Sequence, residues 1–597
     1  MDFDSYSHIF TKSRSVSRLS FLKDLLRTFS PGERFALYTL SMLFATSAFV
    51  LLAGLNAAVS VDVPTLGGKL TEGAVGSARF INPILTLSQP DEDLTRLVFS
   101  GLTRVRPDGT VIPDLASRYT ISGDGTVYTF TLHADARFHD GTPLTAADVV
   151  FTVETAQNPE FKSPRRADWE GVQVSSPDPQ TVIFKLPNAY APFLENTTLG
   201  ILPKHIWQHV QAEEFPFSPA NTRPVGNGPY QIAQTETDST GTATRYELVP
   251  FSNYVRGAPY IKRITFVFYP NHAEMVQAFD AHDLDMIGGI APSELAALER
   301  RDFEIVRAVL PRIFGVFFNQ NRAPALADAA ARMALLAAVD KQEIVKNVLG
   351  GYGIPLEGAI PPGALGPIIP AMPIPFAETS APLNATSTPD SARAEMARAI
   401  LSRGGWTFDD QALVWKKKKV ELSITLATAD EPELVATANM VASYWRAAGI
   451  KVAVQVYPLS ELNTNVIRPR AYDAVLFGEV VGRTADLFAF WHSSQRNDPG
   501  LNLAMYTNAR VDSYLAQARS MTDKNERRKL YELFNKEIEK DTPAIFLYAP
   551  EFIYLVPSSL KGVELGALTT PSERFLNAYQ WYTDTERVWN MFTGNTN

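Results

Sequence analysis

From Phe35 to Val61 the chain carries no charged residue, and Phe35–Ala58 is rich in Leu, Ala, Phe and Val. About 20 apolar residues suffice to cross a bilayer core. No other feature constrains the fold as strongly, because such a run must be buried in protein, inserted in lipid or removed. Lys12, Arg14, Arg18, Lys23, Arg27 and Arg34 precede it, while Asp62 and the bulk of the chain follow. Cytoplasmic flanks are enriched in Lys and Arg, so residues 1–34 are expected as a cytoplasmic tail and residues from about 62 onward outside. A buried core helix is the bland alternative. The closer rival is a signal peptide cleaved at the small residues Ala58-Val59-Ser60. The run is longer than a normal signal core and the tail is long, so an uncleaved transmembrane anchor over 35–60 is favoured. That gives a single-pass protein of the cell membrane with its C-terminal bulk on the extracytoplasmic face. No second run reaches spanning length, so a multi-helix transport channel is not expected.

The rest of the chain has a globular balance. Of 597 residues, 45 % are hydrophobic and 20 % charged, which excludes global disorder and fits several packed lobes. Lys and Arg total 55 against 64 Asp and Glu, a net charge of −9, which argues against a nucleic-acid partner. The absence of Cys excludes disulfide frameworks, thiolate nucleophiles, Cys-ligated zinc, iron–sulfur clusters and the lipid-bearing Cys of a lipoprotein.

Short strands and helices alternate after Asp62. Thr126–Leu132 alternates, with Tyr128, Phe130 and Leu132 on one face of a half-buried strand. The turns Gly123-Asp124-Gly125 and His139-Asp140-Gly141 flank it. Thr145 fits the cap of a helix running to about Ala156. Tyr246–Pro250, Ile264–Tyr269 and Phe314–Asn319 read as strands, and Ala327–Leu349 as one long helix ended by Gly350-Gly351. Glu421–Ala427 (strand), Pro432–Ala448 (helix) and Lys451–Tyr457 (strand) form a β-α-β unit, hence a parallel pair and an α/β fold class. Ala471–Phe477 is a further strand ending at Gly478. Pro355–Pro382, apolar and Pro-rich, reads as an ordered connector.

Catalytic signatures are missing. There is no G-x-S-x-G, H-E-x-x-H, Walker A loop or G-x-G-x-x-G. His205 and His209 are four apart, but Ile206 occupies the place of a metalloprotease Glu. His133, His139 and Asp140 fit turns better than a metal site. Lys416–Lys419 beside Trp415 fits a solvated hairpin. A carboxylate pair is not excluded by sequence, yet nothing positive marks an enzyme, and no cofactor or metal is implied.

Ordered motifs point further. Leu97-Val98-Phe99-Ser100-Gly101-Leu102 is followed by Pro113-Asp114-Leu115-Ala116, Tyr128–Leu132, Phe138-His139-Asp140-Gly141 and Leu144-Thr145-Ala146-Ala147-Asp148-Val149. Then come Leu202-Pro203-Lys204-His205, Gly226-Asn227-Gly228-Pro229-Tyr230, Phe318-Asn319, Arg332-Met333-Ala334, Ala338-Val339-Asp340-Lys341, Ala399-Ile400-Leu401 through Gly405-Trp406, and Asp541–Tyr548. In this order they resemble solute-binding protein family 5 of ABC importers, the oligopeptide- and dipeptide-binding proteins, over roughly 65–590. The resemblance implies a two-lobed, three-domain periplasmic-binding-protein-like flytrap of the cluster C type. Lobe I would comprise 62–102, 222–312 and 543–597, an inserted small domain 103–221, and lobe II 313–542. It implies capture of a peptide between the lobes, hinge closure around it, and delivery to an ABC permease in the membrane. Alternatives kept open are a flytrap for a non-peptide solute (oligosaccharide, metal chelate) and a membrane-tethered sensor or scaffold uncoupled from transport.

Peptide main-chain groups need partners once water is excluded, and β-augmentation supplies them whatever the side chains. By the resemblance, such contacts map to Leu87, Ser88 and Gln89, and to Gly478, Glu479, Val480, Val481 and Gly482. Tyr548 on the crossing strand and Trp491, a cap for a side-chain pocket, are further candidates; core packing is the plain alternative for both. Peptide-binding relatives commonly place an Asp against the peptide ammonium where this chain has Gly482, followed by Arg483. Either Glu479 or Asp486 supplies the carboxylate, or the ligand has no free amino terminus there.

Overall fold

The computed structural model describes residues 28–363, 389–482, 486–521, 523–566 and 568–590. Most of the tail 1–34, most of Pro355–Pro382 and Arg483 lie outside the described residues. The chain divides into two compact units, residues 1–65 with 584–597, and residues 66–583.

The first unit is built on the helix Pro31–Val59, none of whose residues is buried. Ser30 precedes Pro31, and the Glu33 carboxylate accepts from the Ser30 N–H at 2.8 Å. Inside the apolar run, Thr39 and Thr46 donate to Phe35 O and Met42 O, each at 2.8 Å, so these hydroxyls are satisfied within the helix. At 1.5 Å per residue the helix is about 44 Å long, against about 30 Å of bilayer hydrocarbon. It runs directly into the strand Ser60–Pro64, which pairs antiparallel with Thr585–Trp589 from Ser60↔Trp589 to Pro64↔Thr585. The Trp589 indole donates to Asn56 Oδ1 at 2.6 Å. Residues 585–589 pair with the strand that follows the helix, in a two-stranded sheet of their own.

The second unit is organised by a 12-stranded mixed sheet. Its central strand, Ala544–Pro557, serves both halves. The first part pairs with Arg312–Phe318 and Gly353–Pro355. The last part pairs with Phe303–Val309 and Met286–Gly288. One large core packs around residues 309–359 and 394–549 and includes Ile545, Leu547 and Tyr548. Another includes Phe552, Tyr554 and Val556 with residues 70–310. The β-α-β unit is present as Ser423–Ala429, Pro432–Ala447 and Lys451–Tyr457, with the strands parallel and Ser423 opposite Lys451. In the four-stranded sheet, Tyr128, Phe130 and Leu132 are buried and their neighbours are not, as period two requires.

Two expectations are corrected. The long helix Ala327–Leu349 is two helices, Ala329–Ala338 and Lys341–Val348. Val339 is extended, and the Asp340 side chain accepts from the Glu343 N–H at 3.0 Å, which caps a new helix. The strand expected to end before Gly478 spans Ala474–Val480, with Gly478 opposite Phe314.

Candidate ligand-binding cleft

Two adjoining cavities of ≈ 1040 Å³ and ≈ 520 Å³ lie beside the middle of the crossing strand and share His272, Ala291, Arg312, Phe314 and Glu433 in their walls. The larger is bounded by Phe477, Gly478 and Val480 and by Glu431-Pro432-Glu433. These residues stand at the carboxyl end of Ala474–Val480 and just past that of Ser423–Ala429, where α/β sheets bind ligands.

Phe314 forms the wall between the halves. Its ring stacks on Tyr548 at 5.3 Å and 21°. A β-bulge falls between Phe314 and Gly315, where Phe314 faces Tyr548 and Gly315 faces Phe546, the kind of irregularity that re-aims a side chain. A Cβ at Gly478 would meet the Phe314 ring at 2.7 Å, so only glycine lets the ring lie there. Tyr548 sits behind Phe314, 1 % exposed, with its hydroxyl 3.2 Å from Thr437 Oγ1; burial pushes its pKa up to about 12.

The strand Ala474–Val480 offers a free edge. Its pairing with Ser423–Ala429 covers only Ala474 and Val475. Leu476 O accepts from the Thr428 hydroxyl at 3.2 Å; beyond it, along Phe477–Val480, the edge away from Phe314 carries no strand among the described residues, and Val480 is exposed.

The smaller cavity has a charged wall. Arg574 is buried and bridges two buried carboxylates, Glu72 at 2.8 Å and Asp93 at 2.7 Å. Tyr554 donates to Glu72 at 2.8 Å. Burial raises the Glu72 carboxyl despite Arg574 beside it, whereas the two carboxylates hold the guanidinium above its ordinary value although burial opposes this. Gln89 lines this cavity and donates to Asp93 at 2.7 Å.

The candidate residues therefore divide. Gln89, Gly478 and Val480 reach the cavities. Ser88 caps the helix Gln89–Val98, its hydroxyl 2.6 Å from Asp91, and Leu87 is exposed outside both cavities. Val481 is buried, its N–H donating to Pro311 O at 3.0 Å, and Gly482 turns the chain with φ +74°. Trp491 is 1 % exposed among Phe317, Tyr506, Phe534 and Phe546, a core side chain outside both cavities.

Neither carboxylate expected to replace the missing Asp faces the cleft as a free group. Asp486 accepts from Arg519 Nε at 3.0 Å and Nη2 at 2.8 Å. Glu479 is buried with both oxygens unpartnered, and burial pushes its pKa well above the carboxylate range. The cleft instead presents Glu433, which the sequence reading missed; burial, with Glu431 nearby, raises its pKa. Its position after the β-strand of a β-α-β unit was the available signal. Arg312 was missed as well, hidden in an apolar strand.

The wider comparisons agree with this geometry. The chain is 26 % identical over 533 residues to the oligopeptide-binding protein AppA of Bacillus subtilis, covering 88 % of this chain and 94 % of the relative. It is 25 % identical over 542 residues to the dipeptide-binding protein of Escherichia coli, covering 86 % and 94 %. In three dimensions it matches the ABC-transporter substrate-binding protein CtaP of Listeria monocytogenes with a TM-score of 0.71 at 24 % identity, over 87 % of this chain and 100 % of that one. The fold is that of the two-lobed periplasmic binding proteins. Residues 110–501 match the model of the bacterial extracellular solute-binding proteins, family 5, and the chain belongs to that family.

Proposed function

We propose that this protein is a membrane-anchored receptor that captures peptides in the cleft and delivers them to an ABC permease. The free edge of Phe477–Val480 carries the reading. An extended peptide added there gains main-chain hydrogen bonds independent of its sequence, and the two cavities leave room for side chains on either side. Glu433 supplies a carboxylate for the peptide ammonium, the task for which Gly482 has no side chain. Relatives described as oligopeptide- and dipeptide-binding support the same ligand class. The domain division expected from the resemblance suits this use, with closure bending the molecule about the shared strand Ala544–Pro557.

The helix Pro31–Val59 is the anchor in this reading, with the ligand-binding unit on the extracytoplasmic face. Cleavage at Ala58-Val59-Ser60 would detach Asn56 from the Trp589 indole, so the retained helix is the consistent form.

The test is thermal shift and native mass spectrometry of the full chain in detergent, against a pool of free di- to nonapeptides. Ligands of the native state raise the melting temperature by mass action. Bound peptide masses and upward shifts, both lost in Glu433→Lys, which puts a cation where the cleft offers its carboxylate, are the expected result. No bound mass and no shift with any peptide would overturn the peptide reading and leave the family assignment standing.

A further inference from the structure

Arg312 has a position no structural role explains. It opens the strand Arg312–Phe318 and lines both cavities. Its backbone N–H donates to Leu310 O at 2.7 Å. Its buried Nε has no hydrogen-bond partner, and among the described residues it makes no ion pair. Desolvation alone acts on the group, lowering its pKa, with no neighbouring carboxylate to offset it. A cation withdrawn from water without a counter-charge costs free energy. A guanidinium is also the side chain whose planar fork fits a carboxylate, through two parallel N–H···O bonds.

We propose that Arg312 is the anion anchor of the cleft and that it takes a carboxylate of the bound peptide. The inference rests on the peptide-receptor reading and deepens it: ligands must present a carboxylate beside Phe314 while their main chain pairs with Phe477–Val480. Val480 lies opposite Arg312 in the strand register, so the anchor stands at the end of the free edge. It therefore meets one end of an added strand and fixes its register along the edge. The charge left unpaired in the empty cleft is paired in the loaded one, so ligand binding and relief of that cost are one event.

The test compares three peptide pools on the full chain in detergent, by calorimetry. The first has free C-termini and no Asp or Glu, the second is the same pool C-terminally amidated, and the third is amidated with one Asp or Glu per peptide. Amidation is expected to weaken binding to the wild type by roughly tenfold to a hundredfold, the worth of one charge-assisted contact. In Arg312→Met the first two pools should bind equally, and Arg312→Lys should restore part of the difference. Recovery with the third pool would identify a side-chain carboxylate as the partner; its absence would identify the terminal one. The ligand-free melting temperature of Arg312→Met should equal or exceed that of the wild type, which separates anchoring from a structural role. An amidation effect equal in wild type and Arg312→Met, or absent from both, overturns the anchor and leaves the receptor reading intact. No binding of any pool by the wild type overturns both.

Discussion

Two arginines face the same cleft in opposite electrostatic circumstances. Arg574 spends its guanidinium on protein: Nη1 and Nη2 reach Asp93 at 2.9 and 2.7 Å, Nε and Nη2 reach Glu72, Nη1 also reaches Pro571 O, and the Phe575 ring lies 4.1 Å away. Arg312 has none of these partners. The first group stitches the helix Gln89–Val98 and the strand Gly67–Val75 to the segment around Pro571–Phe575. The second is surplus to the resting fold. A buried charge that is fully matched is evidence of architecture, while a half-buried one left unmatched beside a cavity points to something that arrives from outside.

The largest expected effect tests the matched side. Arg574→Met should lose about 3–5 kcal/mol, because Glu72 and Asp93 remain buried without their cation. Urea unfolding of the full chain in micelles reads this, and a midpoint equal to that of Arg312→Met would erase the contrast.

His139 extends the comparison to a neutral buried group. Its Nδ1 accepts from the Gly226 N–H at 3.2 Å and its Nε2–H donates to Gly228 O at 3.1 Å, so the ring is satisfied without a charge. Burial lowers its pKa to about 4. The folded value lies below the unfolded one, so its contribution is complete above pH 6.5 and is lost as pH falls toward 4. The loss should reach about 3 kcal/mol. Melting temperature against pH checks it, and His139→Gln should remove this component from the profile.

Glu479 is the acidic counterpart of Arg312, buried with no partner, and its pKa shift has the opposite consequence. Burial raises its folded pKa, so stability is complete below the unfolded value near 4.5 and falls as pH rises. Glu479→Leu should gain about 1–3 kcal/mol at pH 8, the cost of an unsatisfied buried polar group. The gain should shrink toward pH 4; an equal gain at both pH values would mean the carboxyl titrates alike in the folded and unfolded states, so that burial has not raised it. The smallest change is Tyr548→Phe. It removes the hydroxyl facing Thr437 and should cost about 1 kcal/mol. Peptide affinity should stay unchanged, because Tyr548 is buried outside both cavities and its hydroxyl is taken by Thr437.

Period two made Tyr128, Phe130 and Leu132 legible as one buried face, and the β-α-β unit at 423–457 followed from the same pattern. The break at Val339-Asp340 was not legible from periodicity, because the Ala-rich pattern continues across it and only the cap contact to Glu343 marks the restart. At the cleft, Gly478 and Val480 could be placed by their spacing within the resemblance. Arg312, Glu433 and the commitment of Asp486 to Arg519 could not. Whether a charge is spent or spare is decided by groups hundreds of residues away, as Arg574 with Glu72 shows, and local pattern carries no record of that.

The pairing of Ser60–Pro64 with Thr585–Trp589 also sets a clock. The first of these strands emerges immediately behind the helix Pro31–Val59, and its partner is made only after more than 500 further residues. At ribosomal rates of 5–20 residues per second, this wait is on the order of 25–100 s. During that time the ligand-binding unit can fold domain by domain, while the strand Ser60–Pro64 stays open. The ribbon then closes last, so a fully paired ribbon is itself the sign that everything between its two strands has been synthesised.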